Sequence, residues 1–335
     1  MSLQGICKDI KTTVEPSKAG VLREEAGQAM KKLRSWSPEH FGFIDGLRTL
    51  ALMWTILGVV YIESRVVPAD NAETAIPAFL ENIWFVGFVG GATFARDIFI
   101  FFAGFLASYQ SLSLAARAGH FPGLLALYVD KVFRMVPFVA LGVFLFAIGT
   151  PYAGTGPFWD TAGTFARECQ HHWWEDVLFI RNLMGESKLG ACGWWLFPLQ
   201  MELQLFIITP FLLLLFYRSR GIGLSVILAL MAVSYGLTAW FATSNKLGIS
   251  PVLDEKLYSD VWVQPYTSFD IYGIGLLLGI FFTSDFLPHA EDRFGFSMLQ
   301  SVVQSPCLRY TSYLWGVLFT LPLAFLPYDY FRNYA

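Results

Sequence analysis

FPLQMELQLFIITPFLLLLF, residues 197–216, decides the fold. A run of this length with a single ionisable side chain can cross the roughly 30 Å hydrocarbon core of a bilayer as one helix. That side chain, Glu202, lies in the second helical turn. A carboxyl there costs roughly 2.5–3.5 kcal/mol to insert, so it is expected to face a protein interior or a wet cavity and to have a partner.

The rest of the chain has the same character. Of 335 residues, 55% are hydrophobic and only 15% charged, against about a quarter charged in soluble domains. Seven apolar blocks qualify by length and scarcity of charge, at about 46–64, 83–112, 132–150, 196–217, 222–243, 268–284 and 311–328. The expected fold is an all-α polytopic membrane protein with about seven transmembrane helices. The second block follows the Gly-rich VGFVGGATFA and is broken by Arg96-Asp97. It predicts either one long tilted helix or a re-entrant piece followed by a helix from Asp97 onward.

Residues 1–40 form a polar tail without the apolar core of a signal peptide, and residues 41–335 form the transmembrane domain. Within the tail, 21–34 can form a short amphipathic helix. The net charge is −3 and no polybasic tract is present, so a nucleic-acid partner is not expected. With the N-terminus inside, the inner segments carry the tail's Lys and Arg, then Arg117, Lys131, Arg134, Arg218, Arg220, Arg293 and Arg309. That bias favours the N-in orientation. Endomembrane, plasma membrane and mitochondrial inner membrane all stay open.

In that topology residues 151–195 form a long outer loop, rich in aromatics and holding CQHHWWEDVLFIRN. Trp173, Trp174, Trp194 and Trp195 suit a membrane–water interface. Cys169 and Cys192 share this loop, and a disulfide between them is expected if the outer compartment is oxidising. Cys169, His171, His172, Glu175 and Asp176 match no standard zinc spacing, so interfacial packing is preferred to a metal site.

Several blocks together resemble the membrane acyltransferase type 3 family, and more closely its eukaryotic nose-resistant-to-fluoxetine-like branch. IDGLRTLALMWTILGVVY at 44–61 is similar to the family's opening Asp-Gly-Leu-Arg helix. ARDIFIFFAGFLASY at 95–109 is similar to its Ser-Val-Asp-x-Phe-Phe-x-x-Ser-Gly-Phe-Leu segment. YVDKVFRMVPF at 128–138 resembles its basic-x-x-Arg-x-x-Pro sequence, and FPLQMELQLFIITP places Glu202, Gln204 and Pro210 on fixed positions of Trp-Ser-Leu-x-x-Glu-x-Gln-Phe-Tyr-x-x-x-Pro. VQPYTSFDIYGIGLLLG at 263–279 resembles Pro-Tyr-x-Arg-x-x-x-Tyr-x-x-Gly-x-x-x-Gly, and the paired cysteines with CQHHWWEDVLFIRN resemble the branch's outer loop.

The resemblance, covering about 44–280, implies a helical bundle that transfers an acyl group from a donor such as acyl-CoA to a hydroxyl. It assigns Glu202, Asp97 and Arg48 to the catalytic region, and Lys131 and Arg134 to the donor's phosphates at the inner face. It implies no further cofactor and no metal. The family's base is a His eleven residues after the opening Arg, about three turns and 16 Å along one helix face. Here that Arg is Arg48 and the eleventh residue on is Val59, which accepts no proton.

Other positions also depart. Ser268 stands where the family has Arg, Arg96 where it has a small hydrophobic residue and where it can neutralise the adjacent Asp97, and Phe197-Pro198 where it has Trp-Ser; the closing helices are expected to be absent. All five histidines, His40, His120, His171, His172 and His289, fall in tails or loops. Glu63 or Glu202 would have to replace the base. Asp97 and Glu202 are expected to be held by Arg48 or Arg96 as interhelical pairs.

The reading is an acyltransferase-3-like membrane protein that has lost catalysis. It would serve as a structural or lipid-binding subunit, with membrane lipids and other membrane protein subunits as partners. The alternative is an active O-acyltransferase acting on a hydroxyl of a lipid or small molecule. A transporter is disfavoured, because intramembrane polar residues are few and no internal repeat is visible.

Overall fold

The computed structural model describes residues 42–63, 81–85, 91–156, 159–184, 192–248 and 255–283, with isolated positions at 310, 311, 314 and 318. Contacts divide the chain into a unit ending at Gly46 and a unit beginning at Leu47; packing is described for the second. Among the described residues every regular element is helical. The tail 1–40 lies outside the described residues.

Seven main helices are described. They are α1 (Gly42–Glu63), α2 (Phe94–Ala118), α3 (Leu124–Phe144), α4 (Trp159–Val177), α5 (Phe197–Arg218), α6 (Arg220–Ser244) and α7 (Phe269–Thr283). A π turn, Leu145–Gly149, carries α3 on to Ala153. Among the described residues four helices are long and apolar enough to cross a membrane: α2, α3 with its extension (Leu124–Ala153), α5 and α6. These four are fewer than the seven expected of the whole chain, a count that the described residues do not confirm. Helix α1 occupies the first apolar block and the 15-residue α7 the sixth. The seventh, 311–328, lies outside the described residues apart from isolated positions.

Within the second block, residues 86–90 lie outside the described residues and a helix begins near the Arg96-Asp97 interruption. Helix α2 starts at Phe94 after the 3-10 turn Gly91–Thr93, which puts Asp97 in its first turn, where the helix dipole favours an acid. Helix α3 starts eight residues before the block expected at 132. Asp130, Lys131 and Arg134 interrupt the apolar run, yet the helix accommodates them because each is paired. Arg134 Nε lies 3.1 Å from Asp130 Oδ2, one turn back. The expected outer loop 151–195 contains a 19-residue helix, α4. Arg167, Glu168, His171, His172, Glu175 and Asp176 interrupt its apolar positions, so no continuous apolar run announces it.

Helices α2 and α7 form the heart of the bundle. Both present glycines at the contact. A Cβ on Gly104 would strike the Tyr272 carbonyl oxygen, one on Gly275 the Phe101 carbonyl oxygen, and one on Gly279 the Phe105 carbonyl oxygen. Only the missing side chains let the backbones approach so closely, as in other intramembrane helix pairs. Helix α5 lies against both α2 and α6, and Ile100, Leu112, Met201, Leu205, Leu213, Phe216, Ile227, Tyr272 and Leu276 fill the shared core. Tyr272 Oη and Thr209 Oγ1, 2.8 Å apart, tie α7 to α5.

The span windows of α2 and α5 are 50% buried in protein, those of α3 and α6 only 17%, so α3 and α6 present the broad apolar flanks. Phe133, Phe138, Leu141 and Phe144 on α3 are exposed, as are Val233 and Trp240 on α6. In a bilayer such surfaces meet acyl chains. A second small core forms where α4 folds over the end of α3, from Val139, Val143, Ala147, Cys169, Phe179 and Cys192.

Candidate functional site

The acid that opens the sequence reading is neutralised across helices. Lys131 of α3 places Nζ 2.5 Å from Glu202 Oε1 on α5, with side chains 19% and 12% exposed. The ammonium also sits 5.2 Å from the Phe206 ring, one turn below Glu202. Tyr128, one turn before Lys131, donates its hydroxyl to the Ile207 carbonyl at 2.5 Å, which fixes the register of α3 against α5.

The second acid is neutralised within its own helix. Arg96 lies 2.6 Å from Asp97 Oδ1, donates to the Trp262 carbonyl and stacks 5.1 Å from the Trp262 ring centroid. Asp97 is thus held by its neighbour Arg96, in line with one expectation, while the arginine expected for Glu202 is corrected to Lys131. The guanidinium carbon of Arg48 lies 6.0 Å from the Phe99 ring centroid.

The residues assigned to one donor site turn to different partners. Lys131 faces Glu202, whereas Arg134 is exposed and bonded to Asp130. Ser268 is buried and donates to the Gln264 carbonyl at 3.2 Å, so a hydroxyl occupies the place of the family's cation. Val59 and Glu63 belong to α1, and their side chains lie outside the described residues. Of the histidines, His120, His171 and His172 are described, all outside the membrane-spanning candidates; His40 and His289 lie outside the described residues.

Above this pair a buried amide network joins α5 to the outer segment. Gln204 and Asn182 exchange side-chain hydrogen bonds at 2.7 and 3.0 Å, and Asn182 Nδ2 also donates to the Val263 carbonyl at 2.9 Å. Gln200 Nε2 donates to Asp176 Oδ1 at 2.9 Å, and Gln264 Nε2 donates to the Asn182 carbonyl at 3.1 Å. Gln200 and Gln204 flank Glu202 at helical spacing, which puts their amides on the side of α5 that meets the outer segment. The sequence reading named Gln204 and missed Gln200, Asn182 and Gln264. The signal for Gln200 was the i, i+4 glutamine pair with Gln204 on an otherwise apolar helix.

Cys169 of α4 and Cys192 form a disulfide with Cα atoms 4.6 Å apart. The next residue, Gly193, has φ +58°, and a Cβ there would strike the Asp176 carboxylate. Burial pushes the Asp176 carboxyl up to about 7, opposed by the Arg181 charge and the Gln200 hydrogen bond. Glu175 accepts from Arg181 Nη1 at 2.9 Å, and its other oxygen lies 2.7 Å from His172 Nδ1. Among the described residues no three His, Cys, Asp or Glu side chains assemble a metal site.

Chemically, acyl transfer needs a base at the acceptor hydroxyl and cations at the donor. In this structure the Glu202 carboxylate and the Lys131 ammonium face each other rather than a donor or an acceptor. Each is the other's counter-ion.

No family model matches the chain, and no solved structure matches it. The chain is similar to a Caenorhabditis elegans protein called "Regulator of hypoxia-inducible factor 1", at 22% identity over 279 residues. The match takes in 75% of this chain and 53% of the worm protein, so the chain spans about half the length of that relative.

Proposed function

We propose that this chain is an integral membrane protein of the acyltransferase-3 type whose acyl-transfer positions have become structural. It serves as a structural or lipid-binding subunit of a membrane assembly, with its N-terminus inside. The Lys131–Glu202 pair at 2.5 Å carries the reading, because it commits the family-matched acid and a family-matched donor cation to each other. Val59 at the position of the family's base and the buried Ser268 hydroxyl at that of its cation support it. So do the broad apolar flanks of α3 and α6, which offer surface to lipids or neighbouring subunits. The name of the worm relative describes a regulator, and a non-catalytic role agrees with it.

The test is acyl-CoA turnover by the full-length chain in lipid nanodiscs, followed as free CoA thiol and as acyl transfer to lipid and small hydroxyl acceptors. The expected rate equals that of empty nanodiscs. Turnover that disappears in Glu202→Gln would establish the active O-acyltransferase instead.

A further inference from the structure

The four membrane-spanning candidates each bring an end to one side of the bundle. Helix α2 ends at Ala118 and α3 begins at Leu124, while α5 ends at Arg218 and α6 begins at Arg220. Tyr217 donates its hydroxyl to the Gly119 carbonyl at 3.3 Å, and the Tyr217 and Phe121 ring centroids lie 5.8 Å apart, so the two connecting turns lie side by side. The charge at this end has one sign. Arg117, Arg218 and Arg220 sit here with His120, and neither 98–129 nor 203–253 contains an acid. Arg96, Lys131, Arg134 and Arg181 each meet a carboxylate elsewhere in the fold, whereas Arg218 and Arg220 meet none among the described residues. Helix dipoles favour cations in the last turns of α2 and α5, which accounts for Arg117 and Arg218. At the first residue of α6 the dipole opposes Arg220, so the fold itself gives that charge no counterpart.

We infer that this end of the bundle binds the phosphate of an anionic phospholipid on Arg218 and Arg220. A guanidinium matches phosphate oxygens with parallel donors, and a basic cluster without acids at the end of a span attracts an anionic leaflet. Arg218 is exposed and Arg220 half-buried, so the pair is open to a headgroup. The neighbouring surface selects a lipid over a free anion. Leu125, in the first turn of α3, is 76% exposed, and Ile222, in the first turn of α6, is 57% exposed. Acyl chains can cover these flanks while the headgroup meets the arginines, and the Tyr217 and Phe121 rings suit the level between. In the proposed orientation this is the inner leaflet. The inference rests on the membrane-spanning part of the proposed function and not on the loss of catalysis; acyl-CoA turnover decides the one and lipid retention the other.

The experiment equilibrates the full-length chain in micelles holding equal phosphatidylglycerol and phosphatidylcholine and counts the retained lipids by native mass spectrometry. Phosphatidylglycerol is expected to be retained over phosphatidylcholine by at least about fivefold. Arg218→Gln with Arg220→Gln should abolish that preference. Lys246→Gln, which removes the same charge beyond the far end of α6, should keep it. An intact Cys169–Cys192 bridge and an unchanged melting midpoint in phosphatidylcholine show that the double variant is folded. The native chain also decides without any variant: equal retention of the two lipids, or displacement of phosphatidylglycerol by inorganic phosphate, would overturn the inference. So would a preference that survives in the double variant, or one lost equally in Lys246→Gln.

Discussion

Lys131 Nζ and Glu202 Oε1 meet 2.5 Å apart between α3 and α5, and each satisfies a charge that the apolar spans would otherwise leave exposed to lipid. An unpaired intramembrane charge is expensive, whereas a paired one is tolerated and orients the helices that carry it. Tyr128 to the Ile207 carbonyl on one side and Lys131 over Phe206 on the other fix the same register. The pair is thus a structural clasp between the lipid-facing α3 and the half-buried α5.

The α2–α7 contact should tolerate no added methyl. Gly104→Ala and Gly275→Ala each drive a Cβ into a backbone carbonyl of the opposing helix. Overpacking of this kind costs about 1–3 kcal/mol. Thermal unfolding in detergent should show a lower midpoint for each. Gly142→Ala, where a Cβ meets nothing within 4 Å and the helix gains a better former, should not lower it.

The disulfide should stabilise the outer segment. Cys169 and Cys192 are 23 residues apart, and closing a loop of that size contributes roughly 3 kcal/mol by the chain-entropy argument. Cys169→Ser with Cys192→Ser should lower the melting midpoint by on the order of 5 °C. In the native chain, peptides carrying Cys169 and Cys192 should become alkylated only after reduction.

Asp176 should make stability depend on pH. Burial raises its folded carboxyl to about 7 from the ordinary 3.8, so the folded state holds this proton more tightly than the unfolded chain. The contribution is fully present below pH 3.8 and is lost as pH rises toward and through 7. Melting midpoints measured from pH 5 to 8.5 should therefore fall more steeply for the native chain than for Asp176→Asn. That variant can still accept the Gln200 hydrogen bond.

Much of the frame was legible because apolar length is written directly in the residues. The blocks at 196–217, 222–243 and 268–284 meet α5, α6 and α7 within about two residues. What stayed hidden depended on partners. The start of α3 was obscured by Asp130, Lys131 and Arg134, whose charges are cheap only because Arg134 meets Asp130 and Lys131 meets Glu202. Helix α4 was obscured because charged and polar residues interrupt it and only Cys169 of its described residues enters the small local core. The partner of Glu202 was expected to be an arginine, since one sequence does not carry the register between two helices. The Arg96–Asp97 pair was legible because the two residues are adjacent in the chain. Glu202 and Gln204 were visible as polar positions on α5, but the Asn182 and Gln264 amides that surround them come from distant turns.

The measurement that bears most directly on the central claim is a double-mutant cycle on thermal or denaturant unfolding, with Lys131→Met, Glu202→Gln and the combined variant. Removing one partner of a buried pair leaves the other uncompensated, whereas removing both does not. Each single variant should be destabilised, and the combined one should recover at least about 1 kcal/mol relative to their sum. Strictly additive losses, or a Glu202→Gln chain that unfolds like the native one while losing acyl-CoA turnover, would contradict the clasp and return Glu202 to catalysis.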